Sequence, residues 1–119
     1  LAERLRADQR AVYLVCAGTD GEITGEDVLF AGAVVESLLA SQQDRWGLND
    51  SARIAQTFWQ QSVSGETREA LSVGIESAMR QTHGGRNLID LGYDNDIKLC
   101  SAVDSIALVP VLRGNALKK

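Results

Sequence analysis

The side chains most capable of chemistry crowd into one stretch, VCAGTDGEITGED, residues 15–27. It holds a thiol at Cys16, a hydroxyl at Thr19, and carboxylates at Asp20, Glu22, Glu26 and Asp27, interleaved with Gly18, Gly21 and Gly25. Carboxylates at this density can hold a hard cation such as Mg²⁺ through oxygen, and the cation can then hold a phosphate. Glycines let the backbone come close to a ligand and turn its N–H groups toward an anion. A plainer account competes at every position. Asp20-Gly21 is also a turn sequence, and Glu26 and Asp27 are favourable charges at a helix start. Cys16 closes an apolar run and reads first as a small buried hydrophobe; attack by its thiolate would need a nearby cation.

Other candidates are sparser. His83 precedes Gly84-Gly85, where a helix C-terminus favours a cationic imidazole, so capping is preferred to catalysis. Arg86 follows that glycine pair and could reach an anion. Cys100 is expected to pack on an amphipathic helix, and Trp46, Phe58 and Trp59 to serve as core or as an interface between copies in a homo-oligomer. Standard phosphate motifs are missing. No Lys occurs between residues 17 and 97 to complete a Walker loop, and no GxGxxG is present. A cysteine phosphatase would carry Arg six positions after its nucleophile, where Glu22 stands. Asp20-Gly21-Glu22-Ile23-Thr24 echoes the aspartyl-phosphatase DxDxT pattern faintly, with the wrong second acid.

The elements that must position these residues follow from periodicity and punctuation. Residues 2–8 read as the end of a helix. Residues 11–16, AVYLVC, read as a strand buried on both faces, as in a parallel or mixed α/β sheet. Thr24 caps the next helix, with Asp27 as its capping-box acid, and Val28, Leu29, Ala31, Val35, Leu38 and Leu39 form its apolar face to about Ser41. After a connector at 42–48, Asn49 or Asp50 caps a helix carrying Ala52, Ile54, Ala55, Phe58 and Trp59. Ser64 begins another, with Ala70, Leu71, Ile75, Ala78 and Met79, ended by Gly84-Gly85. Leu88, Ile89 and Leu91 form an apolar turn broken by Gly92, and Asp94 or Asn95 caps a short helix through Ile97, Leu99, Cys100 and Val103. Residues 106–112, IALVPVL, read as a last strand demoted to an edge by Pro110, with a frayed tail after Gly114.

The 119 residues suffice for one domain with its own core. Two expected strands make a poor sheet alone. With a start at Leu1, already in helical sequence, they point to a piece of a larger protein, the other strands coming from a missing N-terminal half or a partner chain. Twelve Lys plus Arg against sixteen Asp plus Glu give a net charge of −4, which argues against nucleic-acid binding. No apolar run approaches the ~20 residues that span a bilayer, and the start lacks a signal-peptide layout. Two distant cysteines suggest free thiols in a reducing, cytoplasmic setting. One His and two Cys fall short of a zinc set, so a bound metal would be oxygen-held.

VYLVCAGTDGEITGEDVLFAGAVVESLL resembles the second half of the 2-phosphosulfolactate phosphatase (ComB-like) family, in Cys16 to Gly21, Glu26-Asp27 and Ala31-Gly32. HGGRNLIDLGYDNDIKLCSAVDSIALVPVL, residues 83–112, is similar to that family's C-terminal pattern. The resemblance implies a three-layer α/β/α fold, with residues 1–119 as a single domain forming the C-terminal half of the whole protein. It also implies Mg²⁺-dependent hydrolysis of (2R)-2-phospho-3-sulfolactate to sulfolactate and phosphate, a step toward coenzyme M. On this reading Asp20, with Glu26 or Asp27, holds Mg²⁺. The loop of Gly18, Thr19 and Gly21 orients the phosphate, and Arg86 meets the phosphate or sulfonate. The attacking group is metal-bound water or Cys16. A nucleophile at Asp20 is the weaker alternative. Position 30 is Phe where family members often carry a second Cys, and the family's Asp-Val-Leu-Arg-Ala and Asn-Gly-Thr blocks have no counterpart. A small, anionic, phosphorylated substrate needs several cations, so the acid-rich chain would lean on the missing half. The competing reading is a structural or assembly piece with its catalytic groups in that half.

Overall fold

Thr24, Asn49 and Thr67 each precede an apolar-periodic run and take the N-cap position of a helix; the Asn49 and Thr67 side chains accept from the N–H three residues on, whereas Thr24 makes no side-chain cap bond among the described residues. The structure, a computed structural model, describes residues 1–8, 10–40, 45–65 and 67–119. Its helices are α1 (Ala2–Ala7), α2 (Gly25–Leu39), α3 (Asp50–Ser62), α4 (Arg68–Gln81), α5 (His83–Asp90) and α6 (Asp94–Cys100). A single antiparallel hairpin follows, β1 (Val111–Arg113) and β2 (Ala116–Lys118), with Val111 opposite Lys118. Helices with a small sheet place the chain in the α/β class in its general sense.

The core forms where α2, α3 and α4 meet. Leu29, Val63 and Ile75 are buried together, and Phe58, Trp59, Leu71, Ala78, Met79 and Val103 pack around them. Phe58 and Trp59 therefore serve the core, as their place on an amphipathic helix suggests. The buried face of α2 is Leu29, Ala31, Gly32, Val34, Val35 and Leu38, close to the expected stripe. Gly32 lets α2 and α3 approach at backbone distance. A Cβ there would collide with the Ala55 carbonyl oxygen and lie 2.7 Å from Trp59 Cβ. One carboxylate oxygen of Glu36 accepts from the side-chain amides of Gln56 and Gln60, each at 3.0 Å, and joins the same two helices at their polar margin. Ile97 is fully buried and anchors α6 to the bundle. Arg45 donates to the carbonyls of Arg6 and Asp8 at the end of α1, and its guanidinium lies 5.1 Å over the half-buried Trp46 ring.

Several sequence expectations need correction. Residues 11–16 form no ladder, and Tyr13 and Val15 are 85% and 92% exposed rather than buried. A strand needs a neighbour for its N–H and C=O groups, and among the described residues none lies beside this run. Residues 106–110 are likewise unpaired, with pairing confined to β1 just after Pro110. The supposedly frayed tail is the second strand of the hairpin, because Gly114 adopts the left-handed turn conformation at φ +62°. The fourth helix starts at Arg68, not Ser64, with the Thr67 side chain accepting from Ala70 N. Gly84-Gly85 does not end that helix. Thr82 interrupts it, and both glycines lie inside α5, together with Leu88 and Ile89. His83 thus opens a helix instead of capping one. Ile54, Leu99 and Cys100 are exposed, not packed. Helix α2 ends at Leu39 with Ala40 as its C-cap, short of the expected Ser41, and Ser41 with part of the 42–48 connector lies outside the described residues.

Replacing Gly32 by Ala in the full-length protein should lower unfolding free energy by about 1–3 kcal/mol through overpacking. Gly47→Ala, with nothing among the described residues within 4 Å of the added methyl, should change it little. Denaturant titration checks both, and equal effects would contradict the packing account.

Candidate functional site

The glycine-acid stretch folds as a tight turn locked to the start of α2. Thr19 N–H donates to Glu22 O at 3.1 Å, and Glu22 N–H donates back to Thr19 O at 2.9 Å. Asp20 and Gly21 between them have φ +54° and +81°, the pattern of a two-residue type I′ turn that Asp-Gly favours. This places Asp20 at an exposed tip. Gly18 has φ +67°, and a side chain there would run into the Glu22 carbonyl oxygen. Asp27 closes the loop from below. Its Oδ2 accepts from Gly18 N–H at 2.8 Å, and its backbone oxygen faces the Cys16 thiol at 3.7 Å.

The other flank of the same helix turn meets α5. Gly25 lies on Thr82, where an added Cβ would be 2.6 Å from the Thr82 methyl. Gly84 faces the Glu26 carboxylate so closely that a Cβ would overlap Oε1. The Thr82 hydroxyl donates to Met79 O at 2.7 Å and accepts from Gly85 N–H at 3.0 Å, ending α4 and capping α5 at once. Two helix N-termini therefore come together, each with backbone N–H groups that favour negative charge. Glu26 supplies some of that charge, and its buried Oε2 has no hydrogen-bond partner among the described residues.

The site residues anticipated from sequence are thus partly gathered. Cys16, Gly18 and Asp27 form one cluster, with Thr19, Asp20 and Gly21 in the turn above it. Glu26 points to α5 instead. Arg86 stands on the first turn of α5, exposed, with its Nε donating to Thr82 O at 3.3 Å. It makes no salt bridge among the described residues. Thr82 was not anticipated; its signal was a cap residue ahead of the renewed apolar spacing at Leu88 and Ile89. Among the described residues no three His, Cys, Asp or Glu side chains form a group that could hold a metal ion. Asp20, Glu26 and Asp27 as they stand do not fit a Mg²⁺ site between them, since two of the three carboxylates are turned to Gly18 and Gly84. An open groove of about 420 Å³ runs beside the junction, past Gly25, Phe58, Ser62, Ser77 and Thr82, and among the described residues no ionisable side chain lines it.

Cys16 is exposed as a residue, yet the surroundings of its thiol matter. Partial burial pushes its pKa up, and the negative charge of Asp27 pushes the same way. Both effects disfavour the thiolate, the opposite of what activates a nucleophile.

This arrangement defines an α/β chain in which a glycine-acid loop and a Thr-His-Gly-Gly-Arg helix start share the first turn of one helix. The 2-phosphosulpholactate phosphatase family model matches residues 1–115, and the chain belongs to that family. It is 39% identical over 101 residues to a "Probable 2-phosphosulfolactate phosphatase" of Thermotoga maritima, covering 85% of this chain and 38% of that protein. A protein of the same name from Deinococcus radiodurans is 34% identical over 101 residues, 85% of this chain and 37% of its own length. Another, from Caldanaerobacter subterraneus, is 27% identical over 118 residues, 99% of this chain and 44% of its own length. The chain spans about two-fifths of the length of these relatives. No solved structure matches it. No described helix is long and apolar enough to cross a membrane.

With Cys100 replaced by Ser, alkylation of Cys16 should be slow at pH 7 and rise with a midpoint above that of free cysteine. A midpoint at or below the free-cysteine value, read by mass spectrometry across pH, would contradict the assigned environment.

Proposed function

We propose that this chain forms one wall of the active site of a phosphoric monoester hydrolase acting on 2-phosphosulfolactate. The observation that carries the reading is the meeting of Gly25 and Glu26, at the foot of the glycine-acid loop, with Thr82 and Gly84 at the α2–α5 junction, in a chain of this family. Water attacks phosphorus, the bond to the sulfolactate oxygen breaks, and that oxygen takes a proton to give sulfolactate and phosphate. The protein's task in such a transfer is mostly positioning and charge stabilisation. The turn of Gly18, Thr19 and Gly21 would orient phosphate through the backbone N–H groups at its tip, those of Gly18 and Thr19 being donated to Asp27 and Glu22, and Arg86 would bind the phosphate or sulfonate through its exposed guanidinium. The partial burial and the Asp27 charge that disfavour a Cys16 thiolate support water over the thiol as the attacking group.

Mg²⁺ belongs to this proposal at the level of the whole protein. Asp20 is the carboxylate here left exposed at a turn tip, and further ligands would come from outside this chain. Bound there, the ion would offset charge on the phosphate. The reading also includes a role in coenzyme M formation, a cytoplasmic setting, and a three-layer α/β/α fold in whose mixed sheet residues 11–16 and 106–110 find strand partners. That no metal-binding group is gathered among the described residues favours a second reading, a structural piece whose catalytic groups lie elsewhere in the protein.

The full-length protein should release phosphate from 2-phosphosulfolactate faster than from an aryl phosphate, and lose most activity with a chelator. Arg86→Ala should raise KM about tenfold or more, the cost of a charged hydrogen bond. Asp20→Asn should lower kcat at least about tenfold. Full activity in both variants would remove this chain from the catalytic machinery and leave the structural reading.

A further inference from the structure

We infer that Asp27 is a positioning residue that latches the Cys16–Gly21 loop to α2, rather than a metal ligand. Asp27 is the third residue of that helix, where an acid ordinarily reaches back to the cap residue. Here its side chain goes further, past Thr24, to Gly18 N–H at 2.8 Å. Its own carbonyl oxygen meets the Cys16 thiol at 3.7 Å, so one residue holds the loop at two points. Gly18 cannot shift without cost, because its left-handed backbone sits against the Glu22 carbonyl. The hydrogen bond therefore fixes the turn that carries Thr19, Asp20 and Gly21. A carboxylate oxygen used for Gly18 is also diverted from a cation, in keeping with the absence of a gathered metal-binding group among the described residues. Its neighbour Glu26 is turned the other way, against Gly84, so adjacent acids face two distant segments from one helix turn.

The kinetic part of the test rests on the phosphatase reading; the structural part does not. In the full-length protein, Asp27→Ala should speed hydrogen exchange at the Gly18 amide about tenfold through loss of its acceptor. It should also speed Cys16 alkylation at pH 7. Asp27→Asn keeps an acceptor oxygen and should hold exchange within about threefold of the parent. If the protein hydrolyses 2-phosphosulfolactate, Asp27→Ala should lower kcat, Asp27→Asn should restore much of it, and the Mg²⁺ concentration for half-maximal activity should stay within about threefold in both. Unchanged Gly18 exchange in Asp27→Ala would overturn the latch. A tenfold or greater rise in the Mg²⁺ requirement of Asp27→Asn, with loop exchange undisturbed, would overturn it in favour of a metal ligand. Loss of loop protection in a protein with no phosphatase activity would uphold the latch and refute the function.

Discussion

Contact between the first turn of α2 and the start of α5 is the constraint on which the candidate site depends. Gly25 must lie on Thr82, and Gly84 must leave room for the Glu26 carboxylate. Both helix starts carry unsatisfied N–H groups and partial positive charge, so their approach is unfavourable until something negative or polar sits between them. Glu26 provides charge, and the Thr82 hydroxyl provides an acceptor for Gly85 N–H. Behind this junction α2 is held by its own packing, with Gly32 against α3 and Leu29 in the core. The glycine-acid loop inherits its placement from this frame through Asp27.

Much of this was legible in the sequence, because the signals were local. The apolar stripe of α2, its Thr24 cap, the Asn49 cap of α3 and the Asp20-Gly21 turn all follow from residue type and spacing within a few positions. The core of Phe58, Trp59, Ile75 and Met79 follows from helical periodicity. Where local and tertiary signals conflict, spacing misleads. Gly84-Gly85 has the form of a helix stop, yet the missing side chains serve packing: one glycine accepts Glu26 and the other sits against the Met79 carbonyl. Asp27 has the form of a capping-box acid, yet a backbone N–H nine residues earlier takes its carboxylate.

The apolar runs at 11–16 and 106–110 teach a different lesson. Their composition is that of buried strands, but a strand is stable only with a neighbour, and composition cannot say where that neighbour is. The exposure of Tyr13, Val15 and Ile106 is what such runs show without one. The chemistry is unbalanced in the same way. The loop and junction contribute several carboxylates and Arg86, while a substrate bearing both phosphate and sulfonate calls for more positive charge. Set against relatives more than twice its length, this chain accounts for the placement of a loop and a helix start rather than for a complete reaction.

The claim that the α2–α5 junction organises the site is tested most directly by a double-mutant cycle between Glu26→Ala and Gly84→Ala in the full-length protein, read by denaturant unfolding. If the Glu26 carboxylate occupies the space beside Gly84, the Gly84→Ala methyl should be costly in the parent. It should be much less costly once the Glu26 side chain is gone, a coupling above about 0.5 kcal/mol. Strict additivity of the two substitutions would show that the residues do not touch, and the junction as described would be wrong.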